Sequence, residues 1–195
     1  MKMDEVITIV SGLPRSGTSM IMRMLEAGGM EVVTDNIRKA DVDNPKGYYE
    51  FERVKKIKED SSWLEGTKGK VFKMVSMLLH DLPKDQNYRV IFMKRNMDEM
   101  VSSQRRMLER QKPEQAGVDY EKMATLYGKH LRDIEPWLET QENIDAIYVS
   151  YNDLIENPLE NLKNLNRFLD NRLEVESMLK ILDKSLYRNR ANSSI

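Results

Sequence analysis

Val10-Ser11-Gly12-Leu13-Pro14-Arg15-Ser16-Gly17-Thr18-Ser19-Met20 is the stretch on which the fold turns. Residues 6–10 form a β-branched apolar run, the pattern of a buried strand, and it stops at Ser11-Gly12. From Thr18 the period becomes helical, with Met20, Ile21, Met24 and Leu25 on one face and Gly28-Gly29 as the stop. Between strand and helix, Gly12 and Gly17 permit backbone angles that a Cβ opposes, so successive amides can turn inward around a phosphate. The free N–H groups at the helix start add positive potential, and Thr18 and Ser19 add hydroxyl donors. The stretch is an anion cradle between a strand and a helix.

Working outward, the chain alternates strands and helices. Residues 30–33 are a candidate short strand, Asp43-Asn44-Pro45-Lys46-Gly47 a turn, and a helix is expected to begin near Glu50. Val71–Val75 and residues 89–94 read as buried strands, the second leading into a helix over Met97–Gln111. Residues 119–141 carry a helical stripe at Met123, Leu126, Tyr127, His130, Ile134 and Leu138, with Pro136 as a kink or early stop. Residues 144–149 form the last strand, and helices follow over 159–169 and 174–182. Strands alternating with helices imply βαβ units and a parallel sheet covered on both faces, so the fold class is α/β.

Composition narrows the chemistry. The chain has 195 residues, which favours a single domain over 1–195, and its 31 Lys plus Arg against 32 Asp plus Glu leave a net charge of −1. That balance argues against nucleic acid as a partner, so any anion site must be local. The absence of Cys excludes thiolate metal sites and cysteine nucleophiles, and His80 and His130 are the only histidines. The apolar run near the N-terminus is too short for a signal peptide, and no stretch reaches the ~20 apolar residues of a membrane span, so a cytoplasmic location without membrane contact is expected. No helix carries a sustained heptad seam that would set an oligomeric state.

The nucleoside-triphosphatase loop has Lys directly after its second Gly; here Thr18 holds that place and the cation has moved forward to Arg15. The strand ends that can be placed carry Lys73 and Lys94-Arg95 instead of a magnesium-holding Asp. Fixed side chains would then neutralise phosphate or sulfate without a metal, whereas a kinase needs the metal to bridge its phosphates. A second cluster lies at Arg95-Asn96-Met97-Asp98-Glu99-Met100-Val101-Ser102-Ser103. The strand delivers Arg95 to the carboxyl edge of the sheet, where open α/β sheets bind ligands, and the following helix can return Ser103 beside it.

At these residues the chain resembles the sulfotransferase family, whose sulfuryl donor is 3′-phosphoadenosine 5′-phosphosulfate (PAPS). The family's 5′-phosphosulfate loop typically reads Pro, Lys or Arg, Ser, Gly, Thr or Ser, and Pro14-Arg15-Ser16-Gly17-Thr18-Ser19 matches it, with the arginine found in carbohydrate sulfotransferases. The family's 3′-phosphate motif is an Arg with a Ser eight positions later, which Arg95 and Ser103 match, although Met97 stands where Pro is usual. The resemblance implies a P-loop-type parallel sheet flanked by helices, PAPS as donor, 3′,5′-ADP as product, and a small-molecule or carbohydrate acceptor offering a hydroxyl or amine. An Arg–phosphate bond worth roughly 1.5–3 kcal/mol would select PAPS over ATP, which has no 3′-phosphate.

Sulfuryl transfer needs cations aimed at the sulfuryl oxygens and the leaving phosphate, and a base for the acceptor proton. Arg15 is suited to the leaving phosphate. Lys73 sits in an otherwise apolar strand, where an unpaired ammonium is costly, so it is expected at the strand's end facing the site. The family often has a lysine there, near the sulfuryl group. In its cytosolic members a histidine base follows two residues later, but here that position is Val75. Heparan-type members use a glutamate, and Asn44-Pro45-Lys46-Gly47-Tyr48-Tyr49-Glu50 is similar to a stretch of many bacterial members, which makes Glu50 the expected base, with Glu52 and His80 as alternatives. His130, on an apolar stripe, is expected in the core. The C-terminal motif that completes the 3′-phosphate site in larger members is missing, and Arg188 and Arg190 are candidates to replace it. Two other functions remain open: a divergent nucleotide or small-molecule kinase, and a non-catalytic nucleotide-binding module.

Overall fold

Two strands are buried almost end to end: β1 (Ile7–Gly12) at every position and β3 (Tyr88–Lys94) at all but its last. Continuous apolar strands of this kind are covered on both faces. With β2 (Val71–Val75) and β4 (Ile144–Ser150) they form an all-parallel sheet in the order β2-β1-β3-β4. The computed structural model describes residues 5–35, 37–41, 44, 47–111 and 119–182.

The helices are α1 (Thr18–Ala27), α2 (Met97–Gln111), α3 (Tyr120–Glu139), α4 (Tyr151–Glu156), α5 (Pro158–Phe168) and α6 (Val175–Lys180). On one face of the sheet Val10, Val71 and Ile91 meet Ile21 and Leu25 of α1, Leu154 of α4, Leu162 of α5 and Met178 of α6. On the other, Ile9, Phe72 and Phe92 pack with Leu138 of α3 and with Trp63 and Leu79 from short 3₁₀ segments. The α/β class, with helices on both faces of a parallel sheet, is what the alternating pattern implies. Among the described residues no helix is long and apolar enough to cross a membrane.

The boundaries differ from the sequence reading at several points. β1 runs on through Ser11 and Gly12, which pair with Met74 and Val75 on one side and with Phe92 and Met93 on the other. The expected strand over 30–33 reduces to a single bridge between Val32 and Val71, because Thr34 and Asp35 turn away to bind the backbone of Glu50 and Glu52. The helix expected near Glu50 is a 3₁₀ turn over Glu52–Lys56. Pro136 does not stop α3: it lies inside the helix, which runs three residues further to Glu139. Leu126 is exposed and His130 is half-exposed, its Nε2 2.9 Å from Ser76 Oγ, so His130 is not the core residue its stripe implied.

Parallel strands end on one edge, and this gathers the site. The exits of β1, β2 and β3 bring the 13–17 loop, Lys73 to Ser76, and Arg95 together. Two glycines make the close packing possible. Gly12 has φ +146°, and a Cβ there would stand 2.6 Å from the Met93 carbonyl oxygen. Gly17, the N-cap of α1, has φ +101°, and its Cβ would stand 2.4 Å from Tyr151 Cδ2. Replacing Gly17 by Ala is therefore expected to destabilise the fold by more than about 1 kcal/mol in chemical denaturation, since strain and overlap add. Gly66→Ala, where a Cβ meets nothing within 4 Å, is expected to be far milder. Equal losses for the two variants would contradict the packing described.

Candidate active site

The loop after β1 closes on itself through the Ser16 amide, which donates to the Leu13 carbonyl at 3.2 Å. Gly17 has no side chain to cap α1, so the helix starts without a side-chain cap, and Gly17, Thr18 and Ser19 all border the cavity. Arg15 takes a left-handed conformation, φ 69°, a cost that non-glycine residues accept only where the surroundings enforce it. In that conformation its Nε donates to Ser103 Oγ at 2.9 Å, while its carbonyl accepts from an Arg95 terminal nitrogen at 3.2 Å. The first loop and the start of α2 are thus tied directly together.

The cavity so formed has a volume of about 430 Å³. Pro14, Arg15, Gly17, Thr18, Ser19, Glu50, Lys73, Arg95 and Ser103 all line it. Ser16 does not: its side chain is fully buried under the loop, with Oγ against Gly12. Glu52 lies outside, paired with Lys55 at 2.6 Å. His80 is exposed, its ring edge-on to Trp137 at 4.3 Å, and is not part of the lining. Arg188 and Arg190 fall outside the described residues.

The charge in the cavity is one-sided. Arg15, Arg23, Arg38, Lys73, Arg95, Arg106 and Arg110 line it, against Glu50 as the one carboxylate among the described lining residues, in a chain whose net charge is −1. Among the described residues no cluster of three or more His, Asp or Glu side chains is arranged to hold a metal. Strong local positive potential in a concave site draws anions.

Two acids hold the cations in place. Glu99, 2% exposed, accepts from Arg95 Nε at 3.0 Å, and both its oxygens accept from Asn152. The Arg95 guanidinium also lies over the Tyr151 ring, 4.3 Å from its centroid. Glu50 Oε1 accepts from Arg38 at 2.8 Å and lies 3.9 Å from Lys73 Nζ; no hydrogen bond to its Oε2 comes from a described residue. Arg38 in turn stacks on Tyr48 at 3.5 Å. The Tyr48 carbonyl accepts from both Lys73 Nζ and Ser19 Oγ, joining β2, α1 and the 47–50 segment.

Lys73 stands in the middle of β2, opposite Val10, and not at its end as expected; its side chain is 15% exposed. Burial pulls its pKa down to about 8 from 10.5; the Glu50 carboxylate opposes this, and Arg38 and Arg15 add to it.

Arg38, Glu99, Tyr151, Arg106 and Arg110 escaped the sequence reading. Glu99 was within reach of it as an i,i+4 partner of Arg95, and Arg106 and Arg110 as positions three and seven after Ser103 on one helix face. Arg38 lies in an irregular segment, where no periodicity flags a residue.

A strand, a phosphate-type loop and a helix under an arginine-walled cavity define an anion-handling α/β protein. The chain belongs to the sulfotransferase domain family, whose model matches residues 6–194. No curated protein sequence matches it significantly. Among solved structures, it is similar to the sulfotransferase domain from the curacin biosynthetic pathway, at 16% identity and a TM-score of 0.53 over 91% of this chain and 78% of that one. It is also similar to mouse sulfotransferase SULT7A1 complexed with PAP, at 16% identity and a TM-score of 0.61, over 98% and 69% of the two chains. Sulfotransferase STF9 from Mycobacterium avium matches at 13% identity and a TM-score of 0.57, over 98% and 70%. At these identities the likeness is one of fold.

The lowered Lys73 pKa fixes the sign of a stability effect. Between pH 8 and 10.5 the unfolded chain keeps a proton that the folded one has released, so stability rises with pH through that window as far as Lys73 is concerned. Below it, the buried ammonium costs on the order of 1–3 kcal/mol. Lys73→Met is therefore expected to raise the melting temperature at pH 7, with the gain shrinking as the pH approaches 10. A gain that does not change with pH, or a loss at pH 7, would contradict the burial described.

Proposed function

We propose that the protein is a PAPS-dependent sulfotransferase acting on the hydroxyl or amine of a small-molecule or carbohydrate acceptor. The observation that carries this is the meeting, in one cavity, of two sets of candidate anion donors from distant parts of the chain: the loop around Arg15, and Arg95 with Ser103, Arg15 and Arg95 being 80 residues apart. The residues present fit a ligand with two separate phosphate-type groups, since uncapped amides and guanidinium donors face the same space.

When bound, PAPS supplies a sulfuryl group whose S–O bond to the 5′-phosphate breaks as the acceptor oxygen bonds to sulfur, leaving 3′,5′-ADP. The amides of residues 17–19, the Thr18 and Ser19 hydroxyls and Arg15 would hold the 5′ end, with Pro14 and the buried Ser16 shaping the loop. Arg95 and Ser103 would hold the 3′-phosphate. Lys73 would face the sulfuryl oxygens; an anion beside it favours the ammonium, reversing the depression that burial causes. Glu50 would take the acceptor proton at Oε2, because Oε1 is held by Arg38, which also keeps the carboxylate aimed into the cavity.

The test is a thermal-shift titration with 3′,5′-ADP, 5′-AMP, and ATP with and without Mg²⁺, followed by transfer of labelled sulfate from PAPS to acceptor mixtures. A ligand that binds only the folded state stabilises it in proportion to saturation. Preferential stabilisation by 3′,5′-ADP is expected, together with transfer. Glu50→Gln is expected to lower turnover by roughly 10²–10⁴ with 3′,5′-ADP binding unchanged. Stabilisation by ATP only with Mg²⁺ would favour a kinase, and binding of 3′,5′-ADP without any transfer would favour a non-catalytic module. Full turnover in Glu50→Gln would remove the base assignment.

A further inference from the structure

The guanidinium expected at the second anion site brings little net charge with it. Arg95 is 8% exposed on its side chain and is paired with the 2%-exposed Glu99, so the two form a neutral unit in the cavity wall. It offers N–H donors, yet its positive charge is already answered. Ser103 is engaged as well, since its Oγ accepts from Arg15. A phosphate monoester carries about −1.5 to −2 at neutral pH, more than the Arg95–Glu99 pair by itself can offset.

The missing charge stands one helical turn further along α2. Positions 103, 106, 107 and 110 fall on one face of the helix, and all line the cavity. Arg105, their neighbour, turns away and pairs with Glu109 at 2.8 Å. Arg106 makes no ion pair with a described carboxylate. Its rise from Ser103 is about 4.5 Å along the helix axis, well within the reach of an arginine side chain. It is exposed at the cavity mouth, so its charge escapes the desolvation that burial would impose.

We infer that Arg106 supplies the net positive charge that captures the second anion of the carrier, the 3′-phosphate, while Arg95, neutralised by Glu99, fixes its orientation. This rests on the PAPS reading above. Arg106 thereby becomes a specificity-determining residue, separating nucleotides with a 3′-phosphate from those without one.

The experiment is calorimetric titration of 3′,5′-ADP and 5′-AMP into the wild type, Arg106→Gln, Arg106→Lys and Arg105→Gln. The ratio of the two affinities isolates the 3′-phosphate. In the wild type 3′,5′-ADP is expected to bind at least about tenfold more tightly. Arg106→Gln is expected to lose on the order of tenfold of that ratio through 3′,5′-ADP alone. Arg106→Lys should retain most of it, and Arg105→Gln all of it. An unchanged ratio in Arg106→Gln, or equal weakening of both nucleotides, would overturn the role given to Arg106 while leaving the PAPS reading intact. A wild type that does not distinguish the two nucleotides would overturn both.

Discussion

One arginine joins the two halves of the cavity. Arg15 donates from Nε to Ser103 Oγ and accepts at its carbonyl from Arg95, so its side chain and its backbone both bridge from the first loop to the β3–α2 turn. It does so from a left-handed conformation that the glycines at 12 and 17 allow by letting the chain enter β1's exit and leave into α1 without side-chain overlap. The parallel order β2-β1-β3-β4 places β1 beside β3, so the two loops leave the sheet next to each other. Without that adjacency, residues 80 apart would not line one cavity.

Gathering so many cations carries a physical cost in the absence of an anion, and the structure distributes it unevenly. Arg95 is neutralised by Glu99 and Arg38 by Glu50, each through a direct ion pair. Lys73 is instead pulled toward its neutral form by burial, which Glu50, 3.9 Å away and shared with Arg38, opposes only in part. An anion placed beside Lys73 would favour its ammonium form further, and the guanidiniums of Arg95 and Arg38 are already held by their ion pairs. Preorganised charge of this kind stabilises developing negative charge with little reorganisation when it forms.

The sequence made the sheet and its two phosphate-type motifs legible because both depend on local pattern. Apolar runs mark β1, β2, β3 and β4, and Met97–Gln111 has the helical extent the periodicity indicates. Lys73 and Arg95 stand out as cations within or just after apolar strands, Arg15 as the cation of the loop after β1, and Ser103 by its spacing from Arg95. The electrostatic wiring was not legible, because a pairing between residues 12 apart, as between Arg38 and Glu50, follows no helical or strand period. His130 shows the opposite error. His130 lies on an apolar stripe whose Leu126 is exposed, so helical spacing marked a face that is only partly covered.

The most direct test is a crystal structure grown with 3′,5′-ADP in the presence of a metal chelator. Density for the 5′-phosphate against the amides of residues 17–19, and for the 3′-phosphate against Arg95 and Ser103, is the expected result. A nucleotide found outside this cavity, or one that enters only when a divalent cation is added, would contradict it.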